Sequence, residues 1–245
     1  MRFKNKVVLI TGASRGIGMA TALHFGKEGA FVVVNYLSSK EKADKVVESI
    51  RKIGGNAISI KCDVSDENQV KNMIGEIIKV FGRLDILINN AGVLINKPIL
   101  EKTVFDWNKV INTNLLGTFL CSKYGIEEML KNENGGVILN LSSINGTKYF
   151  SPDEIEYDIS KVGIITLTKN FAKAFSPKIR VLAIAPGNVS TEINNSKIDI
   201  KSDLDPIYLN KFTTPSDVGK VILDLVGDNF SYLNGEVVFL DGGWD

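Results

Sequence analysis

The chain has 245 residues, with 29 lysine and arginine side chains against 28 aspartate and glutamate side chains and a formal net charge of +1. This balance excludes the strong single-sign field that nucleic-acid-binding and anionic-membrane-binding proteins use, so we expect neither partner. Cys62, Cys121 and the single histidine, His24, are too few for a disulfide framework or a histidine-based zinc site, so we predict no metal and a cytoplasmic location.

Short apolar, β-branched runs alternate along the chain with longer segments of helical periodicity. Such runs are typical of strands buried on both faces, as in a parallel sheet. The predicted strands are 6–10, 31–36, 56–61, 84–89, 136–141, 179–185 and 236–240, and the predicted helices are 16–28, 40–53, 66–80, 104–131, 155–175 and 215–226. The alternation predicts an α/β fold in one domain, 1–245, with a doubly wound parallel sheet and helices on both faces.

The first predicted strand continues through a glycine-rich turn, residues 11–18, into the first predicted helix. Gly12, Gly16 and Gly18 fall in the spacing T-G-x-x-x-G-x-G. A strand, a glycine turn and a helix in this order direct free backbone N–H groups and the helix dipole at an anion. Glycines also serve turns and close packing, so the placement after a buried strand carries more weight than the spacing.

The end of the second predicted strand indicates which dinucleotide to expect. An acidic side chain there binds the ribose hydroxyls of NAD. The stretch reads Asn35, Tyr36, Leu37, Ser38 and Ser39. With no carboxylate before Glu41, a 2′-phosphate meets no repulsion, and Arg15 offers it a guanidinium unless that side chain is simply solvated. We therefore predict NADP, with NAD as the alternative.

Tyr157 and Lys161 are four residues apart in a predicted helix, so they share one face. A tyrosine with its usual pKa of about 10 is a reluctant acid or base, and a nearby ammonium favours the phenolate. Such a pair can deliver a proton to a carbonyl oxygen while hydride reaches the carbon. A solvated pair on a helix surface is the alternative.

Four motifs resemble those of the classical short-chain dehydrogenase/reductases: "TGASRGIG" at 11–18, "NNAG" at 89–92, "YDISK" at 157–161 and "PG" at 186–187. The resemblance extends in order from about residue 7 to 243. It implies a Rossmann sheet of seven parallel strands, a nicotinamide cofactor, a small carbonyl or alcohol substrate and a homotetramer.

The layout is most similar to 3-oxoacyl-acyl-carrier-protein reductases. Glucose dehydrogenases and broad carbonyl reductases share the scaffold and stay open as alternatives. A non-catalytic NADP-sensing protein on the same fold is the alternative from another class. Carrier docking in the reductases uses arginines near helix ends, where this chain has only Lys131 and Lys178.

The resemblance implies catalytic roles for four residues. Tyr157 is the general acid or base, and Lys161 tunes it and holds the nicotinamide ribose. Ser143 holds the substrate oxygen; strand alternation sends Ser142 to the opposite face, and the family pattern favours Ser143. Asn114 holds a water beside the lysine. The implied cofactor-binding residues are Gly12, Ser14, Arg15, Gly16, Ile17, Gly18, Asn35, Tyr36, Ser38, Asp63, Val64, Asn89, Ala91, Gly92, Tyr157, Lys161, Pro186, Gly187, Val189 and Thr191.

Two further segments are expected to shape the substrate pocket. Residues 145–157 lead into Tyr157, with Tyr149 and Phe150 as an apolar wall. Asp153, Glu154 and Glu156 are expected to be solvated charges. Residues 191–212 are long, polar and weakly periodic, which predicts a substrate lid; a mobile surface excursion is the alternative.

Overall fold

The computed structural model describes residues 1–190 and 207–244. One sheet runs through it in the strand order β3-β2-β1-β4-β5-β6-β7, and every neighbouring pair of strands is parallel. The strands are β1 (Val7–Ile10), β2 (Phe31–Tyr36), β3 (Asn56–Lys61), β4 (Ile86–Asn89), β5 (Gly136–Leu141), β6 (Ile179–Pro186) and β7 (Val237–Leu240). The predicted doubly wound α/β fold is confirmed.

Helices connect the strands on both faces of this sheet. They are α1 (Gly16–Lys27), α2 (Lys40–Lys52), α3 (Glu67–Phe81), α4 (Val104–Ile111), α5 (Gly117–Met129), α6 (Ile155–Phe175) and α7 (Pro215–Val226). Short 3-10 turns occupy Ile99–Glu101, Pro152–Glu154 and Asp228–Phe230. Within the described ranges no helix combines the length and the apolar character needed to cross a membrane.

The two faces of the sheet bury separate hydrophobic clusters because successive strand residues point to opposite sides. Val8 and Ile10 pack with Phe25 of α1 and Ile222 of α7. The intervening residues of β1, Val7 and Leu9, instead pack with side chains of α3 and α5. Strands buried on both faces explain why the predicted runs are apolar throughout.

Local signals fix where α3 begins and ends. Asp66 caps α3, accepting hydrogen bonds from the backbone N–H groups of Asn68 and Gln69 at 2.9 and 3.1 Å. Gly82 ends the same helix in the left-handed conformation, with φ of 75°. These features match the predicted helix boundaries to within one residue.

The single helix predicted over 104–131 is wrong in one respect, because a π-helical segment, Asn112–Leu116, separates α4 from α5. A π-turn accommodates an extra residue without changing the apolar character of the surrounding segment, so the periodicity does not reveal it. Asn114 therefore lies in a π-helical turn and not in a regular α-helix.

The strand order reverses between β1 and β4, and ligands of doubly wound folds bind in the crevice outside the carboxyl ends of such strands. The loops that follow β1 and β4 touch there: a Cβ on Gly12 would lie 2.9 Å from Cα of Ala91. Most of the predicted lid, residues 191–206, lies outside the described residues, so the lid stays a prediction. The same holds for Thr191, the predicted cofactor-binding residue in this segment.

Candidate active site

The glycine turn opens directly onto the start of α1. Arg15 occupies the N-cap position without a capping side-chain bond, and the first turn contains no acidic residue. Gly16 has φ of 56°, and a Cβ built on it would meet no atom within 4 Å. Exposed backbone N–H groups, a positive helix end and open space fit the phosphates of a dinucleotide.

The other two glycines of the turn are required by packing. A Cβ on Gly18 would lie 2.6 Å from Nδ2 of Asn90 and 2.9 Å from the carbonyl of Gly12. Asn90 in turn donates from Nδ2 to the carbonyl of Thr11 at 2.8 Å, and the Thr11 hydroxyl accepts from the Ala91 N–H at 3.0 Å. The loops after β1 and β4 are therefore held together as one surface.

Asn35 supports the glycine turn from beneath. Its side chain is 1% exposed, and Oδ1 accepts from the backbone N–H of Gly12 at 3.1 Å. Its Nδ2 donates to the carbonyls of Cys62 and Ile60 at 3.2 and 3.4 Å. These bonds place the Asn35 amide among backbone groups, so its contribution to a cofactor site is to fix the position of the turn.

The surface next to the turn contains the side chains expected around the adenosine ribose. Arg15 and Ser38 are exposed, whereas Tyr36 is buried. The Asp63 carboxylate accepts from the N–H and hydroxyl of Ser65 at 3.0 and 2.6 Å, which shapes the turn into α3. Residues 35–39, at the end of β2, include no acidic side chain.

Asn89 lies in a buried polar network at the end of β4. Its Nδ2 donates to the Asn140 Oδ1 at 2.8 Å and to the Ser122 hydroxyl at 2.9 Å, while its Oδ1 has no partner. Asn140 donates onward to the Thr168 hydroxyl on α6 at 2.9 Å. The network ties β4 and β5 to the helices behind the crevice. Gly92, beyond Asn89, is exposed.

The end of β6 lies next to the end of β5. The carbonyl of Pro186 accepts from the Ile144 N–H at 3.1 Å, and Gly187 donates to the carbonyl of Leu240 at 3.0 Å. A Cβ on Gly187 would lie 3.1 Å from Cα of Asp241, so this position is crowded by the segment after β7. Val189 is buried.

Tyr157 and Lys161 are adjacent on one face of α6. The Lys161 amine lies 5.2 Å from the centroid of the Tyr157 ring and donates to the carbonyl of Leu141 at 2.9 Å. Burial lowers the pKa of Lys161 to about 8. Burial raises the pKa of Tyr157 to about 12, a hydrogen bond with Ser143 lowers it, and Glu154 and Asp158 raise it.

This result differs from the expectation that the neighbouring ammonium favours the phenolate. In the protein without cofactor, loss of solvation dominates the pKa of Tyr157, because removing a phenolate from water costs more than the nearby groups return. At neutral pH Tyr157 therefore carries its proton.

The two consecutive serines at the end of β5 point to different partners, as the strand alternation predicts. Ser143 donates to Oδ1 of Asn145 at 2.9 Å, and its hydroxyl lowers the pKa of Tyr157. Ser142 donates to the backbone carbonyl of Lys161 at 2.9 Å and is buried. Ser143 is thus the serine beside the phenol, and Ser142 anchors β5 to α6.

Asn114 is completely buried in the π-helical segment and connects two elements near the pair. Its Oδ1 accepts from the Val93 N–H at 2.8 Å, and its Nδ2 donates to the Val93 carbonyl at 2.9 Å. Nδ2 also donates to the Ser160 hydroxyl on α6 at 3.1 Å. The expected water-holding role stays a prediction, and the contacts show Asn114 linking the loop after β4 to α6.

Glu156, directly before Tyr157, is not the solvated charge that the sequence suggested. Glu156 is 0% exposed and pairs with the amine of Lys102 at 2.6 Å, and that amine also donates to the carbonyl of Ile95 at 2.9 Å. Glu154 accepts from Nδ2 of Asn96 at 2.8 Å. The partners come from the loop after β4, more than fifty residues earlier, which no local pattern reveals.

The segment after β7 braces the loop that precedes Tyr157. Lys148 pairs with Asp241 at 2.7 Å, and the ring of Tyr149 meets that of Trp244 edge-on at a centroid distance of 5.8 Å. Phe150, on the same loop, is 67% exposed. Tyr149 and Phe150 thus present apolar surface on this loop, and their role as a wall of the substrate pocket stays a prediction.

Comparisons with known proteins agree with this geometry. The family model described as "short chain dehydrogenase" matches residues 6–201. The 3-oxoacyl-acyl-carrier-protein reductase FabG of Thermotoga maritima is 37% identical over 246 residues, covering 99% of this chain and 99% of the relative. The protein of the same name from Staphylococcus epidermidis is 37% identical over 242 residues, covering 98% of each.

Solved structures give the same result. A short-chain dehydrogenase from Burkholderia cenocepacia in complex with NADP superposes with a TM-score of 0.94 at 29% identity, covering 99% of both chains. A short-chain dehydrogenase/reductase from Serratia marcescens gives a TM-score of 0.93 at 28% identity, again covering 99% of both.

Proposed function

Since the chain belongs to the short-chain dehydrogenase/reductase family, an oxidoreductase family that binds a nicotinamide cofactor, we propose a specific activity for it. The proposed activity is that of an NADP-dependent 3-oxoacyl-acyl-carrier-protein reductase. The observation that carries the reaction class is Tyr157, which carries its proton, with the Lys161 amine 5.2 Å from the centre of its ring and with the Ser143 hydroxyl lowering its pKa. The relatives at 37% identity over nearly the whole chain support the substrate class.

The proposed cofactor is NADP rather than NAD. Arg15 and Ser38 offer a guanidinium and a hydroxyl at the exposed rim of the site, and residues 35–39 contain no carboxylate that would repel a 2′-phosphate. The NADP complex of the Burkholderia relative supports this choice. The glycine turn, Asp63, Val64, Asn89, Ala91, Pro186 and Val189 would surround the rest of the dinucleotide.

When bound, the reduced nicotinamide supplies hydride to the carbonyl carbon. Tyr157 delivers its proton to the carbonyl oxygen, and the resulting phenolate is the negative charge that the site must then stabilise. Lys161, with a pKa of about 8, provides a proton and positive charge next to that phenolate. The Ser143 hydroxyl would hydrogen-bond the substrate oxygen.

The substrate loop favours an acyl chain over a sugar as the group that enters. Tyr149 and Phe150 present apolar surface on the loop that leads into Tyr157. The basic residues considered for carrier docking are less suitable. Lys131 pairs with Glu128 at 2.7 Å, and Lys178 donates to the carbonyl of Glu133 at 2.6 Å. We therefore propose the 3-oxoacyl thioester as substrate, and a comparison of the carrier-protein thioester with the coenzyme A thioester tests the carrier.

We also propose a homotetramer. Exposed apolar side chains occur on α4, α5 and α6, where Phe105 is 76% exposed and Phe119 and Ile159 are also exposed. An apolar cavity of about 580 Å³ opens beside Ile159 and Val162 on the same helix. Burial of such surface against a second copy would stabilise an assembly. Analytical ultracentrifugation tests the number of subunits.

A substrate panel tests the proposed function. Acetoacetyl carrier protein, acetoacetyl coenzyme A, glucose and an unactivated ketone are each assayed with NADPH and with NADH. We expect the 3-oxoacyl thioesters with NADPH to give the highest kcat/KM. A preference for glucose or for the unactivated ketone contradicts the substrate class. Tight NADPH binding without turnover on any substrate supports a nucleotide sensor instead.

A further inference from the structure

The loop after β4, residues 93–103, lies against the segment that enters α6. The backbone N–H of Lys97 donates to the carbonyl of Asp153 at 3.0 Å, and Nδ2 of Asn96 donates to the Glu154 carboxylate at 2.8 Å. Both contacts join parts of the chain that are far apart in sequence. We call the contacts between this loop and the start of α6 the loop–helix seam.

The loop–helix seam contains a buried ion pair. The amine of Lys102 lies 2.6 Å from Oε1 of Glu156, and the two side chains are 8% and 0% exposed. The same amine donates to the carbonyl of Ile95 at 2.9 Å, so one cation joins the backbone of the loop to a carboxylate on α6. Glu156 immediately precedes Tyr157, so the pair acts on the first turn of the helix that carries the proposed proton donor.

The loop–helix seam continues toward the end of β4 through Asn114. The Asn114 side chain binds both backbone groups of Val93, accepting from the N–H at 2.8 Å and donating to the carbonyl at 2.9 Å. Its Nδ2 also donates to the Ser160 hydroxyl at 3.1 Å, and that hydroxyl donates to the carbonyl of Tyr157 at 2.7 Å. Val93 directly follows Gly92, a predicted cofactor-binding residue. The seam therefore joins a segment predicted to bind the cofactor to the backbone of Tyr157.

The stability of the fold does not require an ion pair at this place. Two buried charges lose their hydration, and apolar side chains of similar volume are often equally stable or more stable there. In the described part of the chain Oε2 of Glu156 has no hydrogen-bond partner, which adds to the cost of burial. An ion pair does supply direction, because a charge-assisted hydrogen bond has a narrow range of lengths whereas apolar surfaces can slide. The pair is therefore better explained by the position that it imposes than by the stability that it adds.

We propose that Lys102 and Glu156 are positioning residues that hold the loop after β4 in a fixed place against the turn of α6 that carries Tyr157. This inference rests on the proposed function, because it concerns the spacing between the proton donor and the bound cofactor. Carbonyl reduction delivers hydride to the carbon and a proton to the oxygen of one bond, so both donors must keep their places at once. A displacement of about 1 Å can lower the rate of such a step about a hundredfold.

The double variant Lys102→Met/Glu156→Leu separates position from stability. It contains no unpaired buried charge, so it should recover most of the stability that Lys102→Met loses. Without the directional contact, however, the single-turnover rate of NADPH oxidation should fall about tenfold to a hundredfold. A deuterium isotope effect, measured with NADPH deuterated at the transferred position, identifies this rate as hydride transfer. Saturating cofactor and substrate exclude a loss of binding as the cause.

Two further variants make the result specific to the loop–helix seam. Lys102→Met/Glu156→Gln also removes both charges but keeps the shape of the glutamate side chain. It should show the same loss of rate, and it replaces the first double variant if that one does not fold. Arg83→Met is the matched control, because it breaks an ion pair of the same length, 2.6 Å, with Asp85, whose side chain is 5% exposed. This pair lies at the amino end of β4, away from the crevice, so Arg83→Met should lower stability and leave the hydride-transfer rate unchanged.

Hydrogen exchange measured by NMR reports on the loop–helix seam without turnover. The amides of Val93 and Lys97 are protected by their bonds to Asn114 and Asp153. In both double variants these amides should exchange about tenfold faster than in the wild type, with and without NADPH, because the loop opens more often. Arg83→Met should leave their exchange unchanged.

The outcomes separate this inference from the proposed function. A folded double variant with the hydride-transfer rate of the wild type overturns this inference alone, whatever its exchange rates. An equal loss of rate in Arg83→Met also overturns it, because the rate would then follow stability. Absence of wild-type turnover on every substrate overturns the proposed function, and the exchange rates then decide whether the pair positions the loop.

Discussion

The amine of Lys161 lies 5.2 Å from the centre of the Tyr157 ring, one turn away on α6, and Lys161 as a residue is only 5% exposed. Its single protein acceptor is the carbonyl of Leu141, within the described part of the chain. A cation in this position is poorly solvated until a phenolate or a ligand faces it. Holding the Lys161 cation beside Tyr157 therefore lowers the stability of the resting protein, and the same arrangement suits proton transfer.

Removing the phenol oxygen should abolish proton delivery and leave cofactor binding in place. We expect Tyr157→Phe to lower kcat by about 10² to 10⁴-fold, the usual contribution of a positioned general acid. NADPH affinity, measured by fluorescence titration, should change little. Tyr149→Phe removes a hydroxyl from the nearby loop and serves as the matched control. Wild-type kcat in Tyr157→Phe would refute the proton-transfer role.

The buried lysine should make stability depend on pH above neutrality. An unfolded lysine keeps its proton up to its ordinary pKa of 10.5, whereas folded Lys161 releases it near pH 8. Between these values the unfolded state binds more protons, so the folded state gains stability as the pH rises. Below pH 8 the full cost is present.

Lys161→Met removes that titration. At pH 7, without cofactor and at fixed protein concentration, we expect the variant to exceed the wild type in free energy of unfolding by on the order of 1–3 kcal/mol. Urea unfolding at several pH values measures the difference, which should shrink from pH 8 to 10.5. A difference that stays constant over this range would show that Lys161 is not desolvated in the folded protein.

Much of the fold was predictable because its signals are local. β2 and β5 begin and end where they were predicted, since strands buried on both faces are read from near-continuous apolar runs. The Tyr157–Lys161 pair was predictable because four residues make one helical turn. Helix ends at Gly82 and Asp66 likewise follow from single residues.

The parts that sequence reasoning missed depend on contacts between distant segments. Glu156 is buried because Lys102 reaches it from another loop, and nothing within several residues of Glu156 indicates this. The fourth strand was predicted from residue 84, yet it begins at Ile86, and the Asp85 carboxylate just before it accepts a hydrogen bond from the distant backbone N–H of Val7 at 2.9 Å. Asn145 stands two residues after Ser143, a spacing that could have been noticed as a candidate partner.

Two glycines of the turn should respond differently to the same substitution. In Gly18→Ala the new methyl group would lie 2.6 Å from Asn90, so the loops after β1 and β4 must separate. We expect a loss of about 1–3 kcal/mol in unfolding free energy, typical of overpacking. Gly16→Ala meets no atom and should lose only about 1 kcal/mol, from its positive φ.

Cofactor binding separates the two glycines further. Because the space above Gly16 is the proposed phosphate site, Gly16→Ala should weaken NADPH binding more than its effect on stability suggests. Chemical denaturation without cofactor and NADPH titration measure the two effects. Equal stability losses in both variants would contradict the packing argument for Gly18.

The buried ion pair of Lys102 and Glu156 should be more costly to break than to replace. Lys102→Met leaves a carboxylate that is fully removed from solvent without its partner, and one Glu156 oxygen already has no hydrogen bond. We expect a loss of about 3–5 kcal/mol. Adding Glu156→Leu should restore much of it, because the double variant contains no unpaired charge. Additive losses in the double variant would show that the carboxylate is stabilised by something else.

The final prediction concerns the coenzyme preference, which depends on Arg15 at the N-cap of α1. A guanidinium beside a 2′-phosphate interacts with NADPH and has no corresponding anion in NADH, so Arg15→Ala should raise KM for NADPH about tenfold and leave KM for NADH nearly unchanged. Lys27→Ala removes the same charge from the exposed last turn of the same helix and should change neither value. Ser38→Asp supplies the acid that the end of β2 lacks and should favour NADH, since its carboxylate can bind ribose hydroxyls and repels the phosphate. If Arg15→Ala raised both KM values equally, the side chain would serve the shared phosphates rather than the 2′-phosphate, and the preference for NADP would have to arise elsewhere.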